Sequence, residues 1–384
     1  VESTPTNPDS PQTGTPDVRP VPNLSRKKKL LFFFVIFIIT GAVGLALFEV
    51  GLRIVAPQPL LPRYVIDSGF GIRKHAPNID VHHTTADYRI NVRTNSMGIR
   101  DDREFQLAKP DNTFRVVGLG DSFTFGYGVE KEETYLALAE KTLREMGMNV
   151  EIINLAVSGF GTAEQIIMLE KVGLGFDPDM VTVGFYVNDI ADNVRSMLYV
   201  LDQNRKPRRH QESYLPAVKV REFLYSFAIY RYLAEHSHAL YFVRRAVADF
   251  LQKRLKERNE KKLGDAETPT SQSHAQTQPS RGPAQLAAAL LDQLKRVVTQ
   301  RGKTICIIDI PEKTNRSHLP REFFQGVTEE EVIDLRPSFE KAMKTRLIYW
   351  QKSDGHWTPE GHKIAAKLLV EKIAERYRQV MSSE

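Results

Sequence analysis

A serine hydroxyl that is to attack a carbonyl needs three kinds of help: a base to take its proton, a carboxylate to hold that base, and hydrogen-bond donors for the oxyanion. The sequence supplies residues of each kind. Thr113 to Gly128 reads T-F-R-V-V-G-L-G-D-S-F-T-F-G-Y-G, an apolar β-branched run that stops at Gly118, Gly120, Asp121 and Ser122. A buried strand ending in a Gly-rich turn puts Ser122 at the C-terminal edge of a sheet, where open α/β proteins place their ligand sites. That makes Ser122 the candidate nucleophile. Gly120-Asp121-Ser122 is weak evidence alone, since the tripeptide arises by chance in roughly one chain in ten of this length. A turn capping the next helix would use the same residues.

Three further stretches lie at comparable places. Ser158-Gly159-Phe160-Gly161 follows a second apolar run, and a glycine there lets a backbone N–H come close to an oxyanion. Asn188 follows a third run, and its side-chain amide could donate to the same oxygen. Asp354-Gly355-His356 stands just before the last helical stretch. Each has a plainer reading as well: Gly159 a turn residue, Asn188-Asp189 a helix cap, His356 a surface histidine. The set says more than its members, because Ser, Gly, Asn and His come in order, each on its own strand-to-helix junction.

The elements that must position these residues alternate along the chain. Thr134 to Met146 is amphipathic, with Leu136, Ala139, Leu143 and Met146 on one face; Asn149 to Val157 is an apolar strand run; Ala163 to Val172 is a helix; Met180 to Val187 is the next strand. After an interruption the pattern resumes with a helix over Ala284 to Gln300, a buried strand over Lys303 to Ile310, a short strand over Leu347 to Trp350 and a closing helix over Pro359 to Val380. Such alternation predicts a parallel sheet covered by helices on both faces. Upstream, Ala86 to Thr94 alternates apolar and polar residues as a half-exposed strand does. His82-His83 suggests no metal site, because neighbours on an extended segment point to opposite sides, and a loop pair is expected.

The interruption, about Ser196 to Pro283, is of a different kind. Val218 to Lys262 carries apolar residues at helical spacing, with eleven Lys or Arg against five Asp or Glu. A basic amphipathic pair of helices allows a membrane-surface or lid role. Helices packed on the domain with a solvated basic face are the expectation. Gly264 to Pro283, rich in Ser, Thr, Gln and Pro, is expected to be a flexible loop.

At the start, Val1 to Ser25 has a disordered composition, and Arg26-Lys27-Lys28-Lys29 precedes Leu30 to Phe48, nineteen residues without a charge. As a helix they would span about 28 Å, enough to cross a bilayer's hydrocarbon core. An uncleaved anchor is expected over a cleaved signal peptide or a buried core helix. The four adjacent cations put the N-terminus in the cytoplasm and the rest of the chain periplasmic or extracellular, although Arg53, Arg63, Arg73 and Lys74 weaken the charge asymmetry.

The 384 residues, 41% of them hydrophobic, can bury a substantial core. The net charge of +6 is modest and locally clustered, and no zinc-finger spacing, P-loop or RNA-binding aromatic signature occurs, so no nucleic-acid partner is expected. The one cysteine, Cys306, sits in an apolar run and is expected to be a buried core residue.

The four blocks G-D-S-F-T-F-G, N-L-A-V-S-G-F-G-T, F-Y-V-N-D-I and D-G-H-W-T-P-E-G-H together resemble those of the SGNH, or GDSL-type, hydrolase superfamily. The likeness covers about Asn112 to Arg378 apart from the insert. It implies an α/β fold, a three-layer α/β/α sandwich with a flavodoxin-like parallel sheet, here preceded by one transmembrane helix. It also implies Ser122 as nucleophile, His356 as base, Asp354 as the carboxylate that orients it, and an oxyanion hole formed by the N–H groups of Ser122 and Gly159 with the Asn188 amide. No metal or organic cofactor is implied. Two departures stand out: Tyr186 occupies a position that is commonly glycine, and Asp354 and His356 are two apart where three is usual. The shorter spacing, with D-x-H-W-T, resembles the branch holding polysaccharide O-acetyltransferases. His362 is the rival base, disfavoured because it falls inside the closing helix.

The expected organisation is therefore a basic-ended tail at 1–29, a transmembrane helix at 30–48, a linker and small β-containing extension at 49–112, and a catalytic domain at 113–384 with an insert at about 196–283. The expected activity is that of a serine-dependent esterase on acyl esters, above all acetyl esters, of envelope or exported polysaccharide. Alternatives are a polysaccharide O-acetyltransferase using the same triad, a lipid esterase or thioesterase, and a non-catalytic scaffold for polysaccharide or its synthesis machinery.

Overall fold

The computed structural model describes residues 25–62, 64–266, 281–313, 323, 326–353 and 355–381. The tail before Ser25, most of the expected loop before Pro283, and Asp354 lie outside the described residues. The chain divides into two units, Val1–Gly51 and Leu52–Glu384. Nearly all of the helix Arg26–Val55 belongs to the first unit; it is long and apolar enough to cross a membrane, and none of its residues is buried. It stops two residues short of Pro57, as expected from the restriction a proline places on the residue before it.

In the second unit five strands form one sheet: β1 (Phe114–Leu119), β2 (Val150–Asn154), β3 (Met180–Tyr186), β4 (Thr304–Ile310) and β5 (Val332–Asp334). Their order across the sheet is β5-β4-β3-β1-β2, and every pairing is parallel. This is a flavodoxin-like sheet. Its winding reverses at the β1/β3 boundary, where the connections leave to opposite sides and open a crevice beyond the strand ends.

Alternate residues of the strands feed two cores, as a period of two requires. Val116, Ile152, Cys306 and Ile308 pack with α1 (Tyr135–Glu145) and with α5 (Pro359–Met381), the closing helix, through Leu136, Leu143, Leu369 and Ile373. Val117, Ile153, Val183 and Ile307 pack with α2 (Thr162–Lys171) and with α4 (Arg281–Thr299) through Ile166, Leu290 and Leu294. The remaining helix of the sandwich, α3 (Asn188–Ser196), follows β3. Cys306 is buried in β4, and burial pushes its thiol up to about 12.

Three expectations are corrected. The fifth strand is Val332–Asp334, whereas Leu347 to Trp350 makes a single antiparallel bridge, Tyr349 to Trp357. Its backbone is spent on the following loop, with Thr358 N donating to Ile348 O and Trp350 N to His356 O. His82 and His83 lie in a strand, Asp80–Thr84, paired with Arg89–Arg93; they do point to opposite sides, His82 exposed and His83 buried.

The third correction concerns the insert. It contains a hairpin, Tyr199–Leu201 with Pro207–Arg209, and three helices, Val218–Ser226, Ala228–His236 and His238–Ala266. The helices are separated at Phe227 and Ser237, both in extended conformation. They rest on the domain at a few places, among them the buried Val218 and Ala234, while their other apolar side chains are largely in solvent.

Candidate active site

Strand β1 is buried throughout, and its end sets the site. Gly120 follows at φ +154, where a Cβ would fall 2.1 Å from Thr124 Oγ1, so the tight turn needs glycine. Asp121 then caps the single helical turn Ser122–Phe125: its Oδ1 accepts from Phe123 N at 2.9 Å, and its carbonyl accepts from Phe125 N at 2.9 Å. The turn presents Ser122 at the crevice.

His356 arrives from the opposite end of the sequence. The bridge between Tyr349 and Trp357 holds its loop, and fully buried Trp357 plants it in the core shared by α1 and α5. Its ring lies against Phe123 (4.8 Å between centroids) and Tyr127 (5.4 Å). Its Nε2 is 2.8 Å from Ser122 Oγ. Residues 234 apart in sequence thus meet as a hydroxyl and an imidazole within hydrogen-bond distance, the geometry needed to move the serine proton.

Gly159 sits in the turn Val157 to Phe160, closed by Phe160 N donating to Val157 O at 3.0 Å. Its φ of +75 is that of the third residue of a type II turn. Val157 N donates to Gly120 O at 3.2 Å, which ties this turn to the end of β1. Asn188 opens α3 but does not cap it with its side chain. Instead its Nδ2 donates to Asp121 Oδ2 at 3.2 Å, joining the ends of β3 and β1 beside Ser122. Asp189 is fully buried and accepts from Thr162 Oγ1 (3.1 Å) and Gln165 Nε2 (3.0 Å) on α2.

Burial raises the Asp121 carboxyl above the usual carboxylate range, opposed by the Phe123 N–H, His356 and the Asn188 amide. Asp189 is pushed well above that range by burial and then by the charge of Asp121. His362, the rival base, is fully buried in α5, where its Nδ1 accepts from Tyr135 N at 3.2 Å; burial pushes it down to about 3. It is a neutral acceptor for the first turn of α1. Asp354 lies outside the described residues. Next to it, Asp87 Oδ2 accepts from Lys352 N, Ser353 N and Ser353 Oγ at 2.7, 2.8 and 2.9 Å. Tyr186 lies against Phe123 (4.6 Å), so the bulk that replaces the usual glycine backs a ring that also flanks His356.

Three residues of the N-terminal extension brace these loops, and none of them stands out in the sequence as part of a site. Besides Asp87 on the 352–353 backbone, Arg73 Nη2 donates to Gly159 O and to Glu164 Oε1 (3.4 Å), with its guanidinium over the Phe160 ring. Arg100 donates to Phe125 O, Gly126 O and Val129 O at 2.9, 2.7 and 2.8 Å. Isolated arginines in a segment without periodicity carry no local signal of the carbonyls they will meet.

A model of the GDSL-like lipase/acylhydrolase family matches residues 119–364. The chain belongs to this family of ester-hydrolysing enzymes. Solved structures similar to this GDSL-like chain include TesA, 14% identical, covering 68% of this chain and 99% of that one with a TM-score of 0.38. A lipolytic G-D-S-L family protein from Veillonella parvula is 12% identical over 67% of this chain and 96% of that one, with a TM-score of 0.36. The acetylxylan esterase Axe2 from Geobacillus stearothermophilus is 15% identical over 67% and 93%, with a TM-score of 0.35. No curated protein matches the chain.

Proposed function

We propose that this GDSL-like enzyme cleaves acyl esters through an acyl-serine formed on Ser122. The observation that carries the reading is the 2.8 Å approach of His356 Nε2 to Ser122 Oγ at the sheet's switch point. His356 takes the hydroxyl proton as Ser122 Oγ attacks the ester carbonyl. The tetrahedral oxyanion is held by the N–H groups of Ser122 and Gly159 and by the Asn188 amide; the C–O bond to the alcohol then breaks, and His356 returns the proton to the leaving oxygen. Asp354 is assigned the orienting role on its place in the D-G-H-W-T block. Water, deprotonated by the same imidazole, releases the acid.

The substrate class we assign is acyl, above all acetyl, esters of envelope or exported polysaccharide, with the helix Arg26–Val55 as an uncleaved anchor. The support is the two-residue spacing of Asp354 and His356, which resembles polysaccharide O-acetyltransferases, together with the apolar helix ahead of the catalytic unit. The same spacing favours a second reading, transfer of the acyl group to a sugar hydroxyl in place of water.

Ser122→Ala is expected to lower turnover of a chromogenic acyl ester by about 10⁴-fold or more while the far-UV circular dichroism stays unchanged. Retained activity in the folded variant removes Ser122 from the nucleophile role. Mass spectrometry of products formed with an oligosaccharide acceptor present separates the two readings: free acid alone supports hydrolysis, and acylated acceptor supports transfer.

A further inference from the structure

We propose that the three insert helices, Val218–Ser226, Ala228–His236 and His238–Ala266, form a docking surface for an anionic lipid bilayer. The proposal rests on the reading of Arg26–Val55 as an anchor. Three observations point to this occupant.

The first is exposure. Phe223 is 64% exposed, Ile229 73% and Phe250 58%, and on the third helix Val243, Val247, Phe250 and Leu251 recur at the spacing of one helical stripe, all in solvent. Among the described residues of these helices only Val218 and Ala234 are buried. An apolar surface of this extent on a folded chain marks an interaction site. Its residues are aromatic and branched aliphatic, as on helices that lie in a membrane interface.

The second is charge. Val218 to Lys262 holds eleven Lys or Arg against five Asp or Glu, so this one segment carries a surplus as large as the +6 of the whole chain. Cations interleave with the apolar stripe: the Arg254 guanidinium lies over the Phe250 ring at 5.3 Å and that of Arg244 over Tyr241 at 5.3 Å. Long basic side chains that cover apolar rings while keeping their charge outward suit a surface of negative headgroups over acyl chains. A protein partner chosen for apolar contact alone would not call for that surplus.

The third is attachment. The helices are fastened to the residues that directly follow the apolar helix: Gln58 N donates to His238 Nδ1 at 2.7 Å, Tyr64 Oη to Glu235 Oε1 at 2.6 Å and Asp67 N to Glu222 Oε1 at 3.3 Å. The Tyr64 and Tyr225 rings meet at 4.8 Å. Gln58 comes three positions after Val55, where the apolar helix ends, a reach of about 10 Å at most. An anchor in the bilayer therefore keeps these helices at its surface, where burial of their apolar stripe adds a second contact to the anchor's own.

The test uses the full chain in vesicles. Cys306 is buried, so Ile229→Cys and Val247→Cys each offer one accessible thiol for an environment-sensitive fluorophore, with Met146→Cys, 49% exposed on the catalytic unit, as control. In phosphatidylcholine vesicles containing phosphatidylglycerol, the probes at 229 and 247 are expected to shift to the blue. Brominated lipid should quench them several-fold more than the probe at 146, and the excess should shrink in high salt or without phosphatidylglycerol. Equal quenching at the three positions overturns the proposal. So does a blue shift that grows with protein concentration and resists brominated lipid, which would assign the face to a second copy of the chain. Flotation with the vesicles reads the anchor separately. A chain that floats with unquenched probes retains the anchor and loses the docking surface, and one whose probes are quenched without stable flotation does the reverse.

Discussion

Asn188 donates one of its two amide hydrogens to Asp121 Oδ2, while its Oδ1 is buried and has no hydrogen-bond partner among the described residues. A free amide would turn to satisfy that oxygen; the Asp121 carboxylate prevents it and leaves the second N–H available for an oxyanion. Asp121→Asn removes the negative acceptor and places an amide against an amide, either of which can flip. It is expected to lower kcat by about 100-fold with little change in KM, since the oxyanion forms only beyond the bound ester. Steady-state kinetics on a soluble acyl ester check this, and a change confined to KM would mean that Asp121 acts on binding. From sequence, Asp121 was legible as a turn former and Asn188 as a possible donor. Their mutual hydrogen bond was not, because it spans 67 positions and depends on β1 and β3 being neighbours.

At the scale of elements, the one-turn helix Ser122–Phe125 is seated on the sheet by Thr124. Its Oγ1 accepts from Tyr135 Oη at 3.0 Å and fits against two glycines, Gly120 and Gly184, at the ends of β1 and β3. A Cβ on Gly184 would fall 2.1 Å from Thr124 Oγ1, so Gly184→Ala must lift the turn that carries Ser122. Overpacking of this kind costs about 1–3 kcal/mol. The variant is expected to lose that much stability in a denaturant titration, and esterase activity with it. Adding Thr124→Ala removes the clashing hydroxyl and should restore part of both, a non-additivity that a double-mutant cycle measures. Strict additivity would place the damage elsewhere. Strands β1 to β4 and helices α1, α2, α4 and α5 follow from apolar periodicity, whereas α3, nine residues long, and β5, three residues long, are too short to show it clearly.

For the whole molecule, stability should depend on pH through groups the core holds in one state. His362 is kept neutral in the fold with its pKa near 3, against about 6.5 when exposed. The unfolded chain therefore takes up a proton that the folded one refuses, and stability falls as pH drops from about 6.5 toward 3, by about 1.4 kcal/mol per unit. Asp189, raised by burial, has the opposite sign: its folded carboxyl keeps a proton that the unfolded one loses, so its contribution falls as pH rises past the ordinary carboxylate value. His362→Asn keeps an acceptor for Tyr135 N and abolishes the first effect. In urea titrations across that range, with the apolar helix in detergent micelles, the variant should lose less stability than the parent on acidification. Parallel pH profiles would assign the acid sensitivity to other groups. The extension ahead of β1 braces the site as well: Arg73, Asp87 and Arg100 hold the backbone of the loops around it.

By itself the sequence determined strands β1 to β4, four of the sandwich helices, their alternation and the stretches that carry Ser122, Gly159, Asn188 and His356, because hydrophobic periodicity and glycine at strand ends are local properties of the chain. It also determined the apolar helix, since length and lack of charge are read residue by residue. The tertiary structure alone decided that Asn188 is turned by Asp121, that the extension braces the loops, and that the insert's apolar stripe faces solvent, and it supplied the contact of His356 with Ser122 that the sequence had only favoured over His362. Each of those depends on which elements become neighbours when the sheet winds, and contacts between groups tens to hundreds of residues apart leave no pattern in the residues between them.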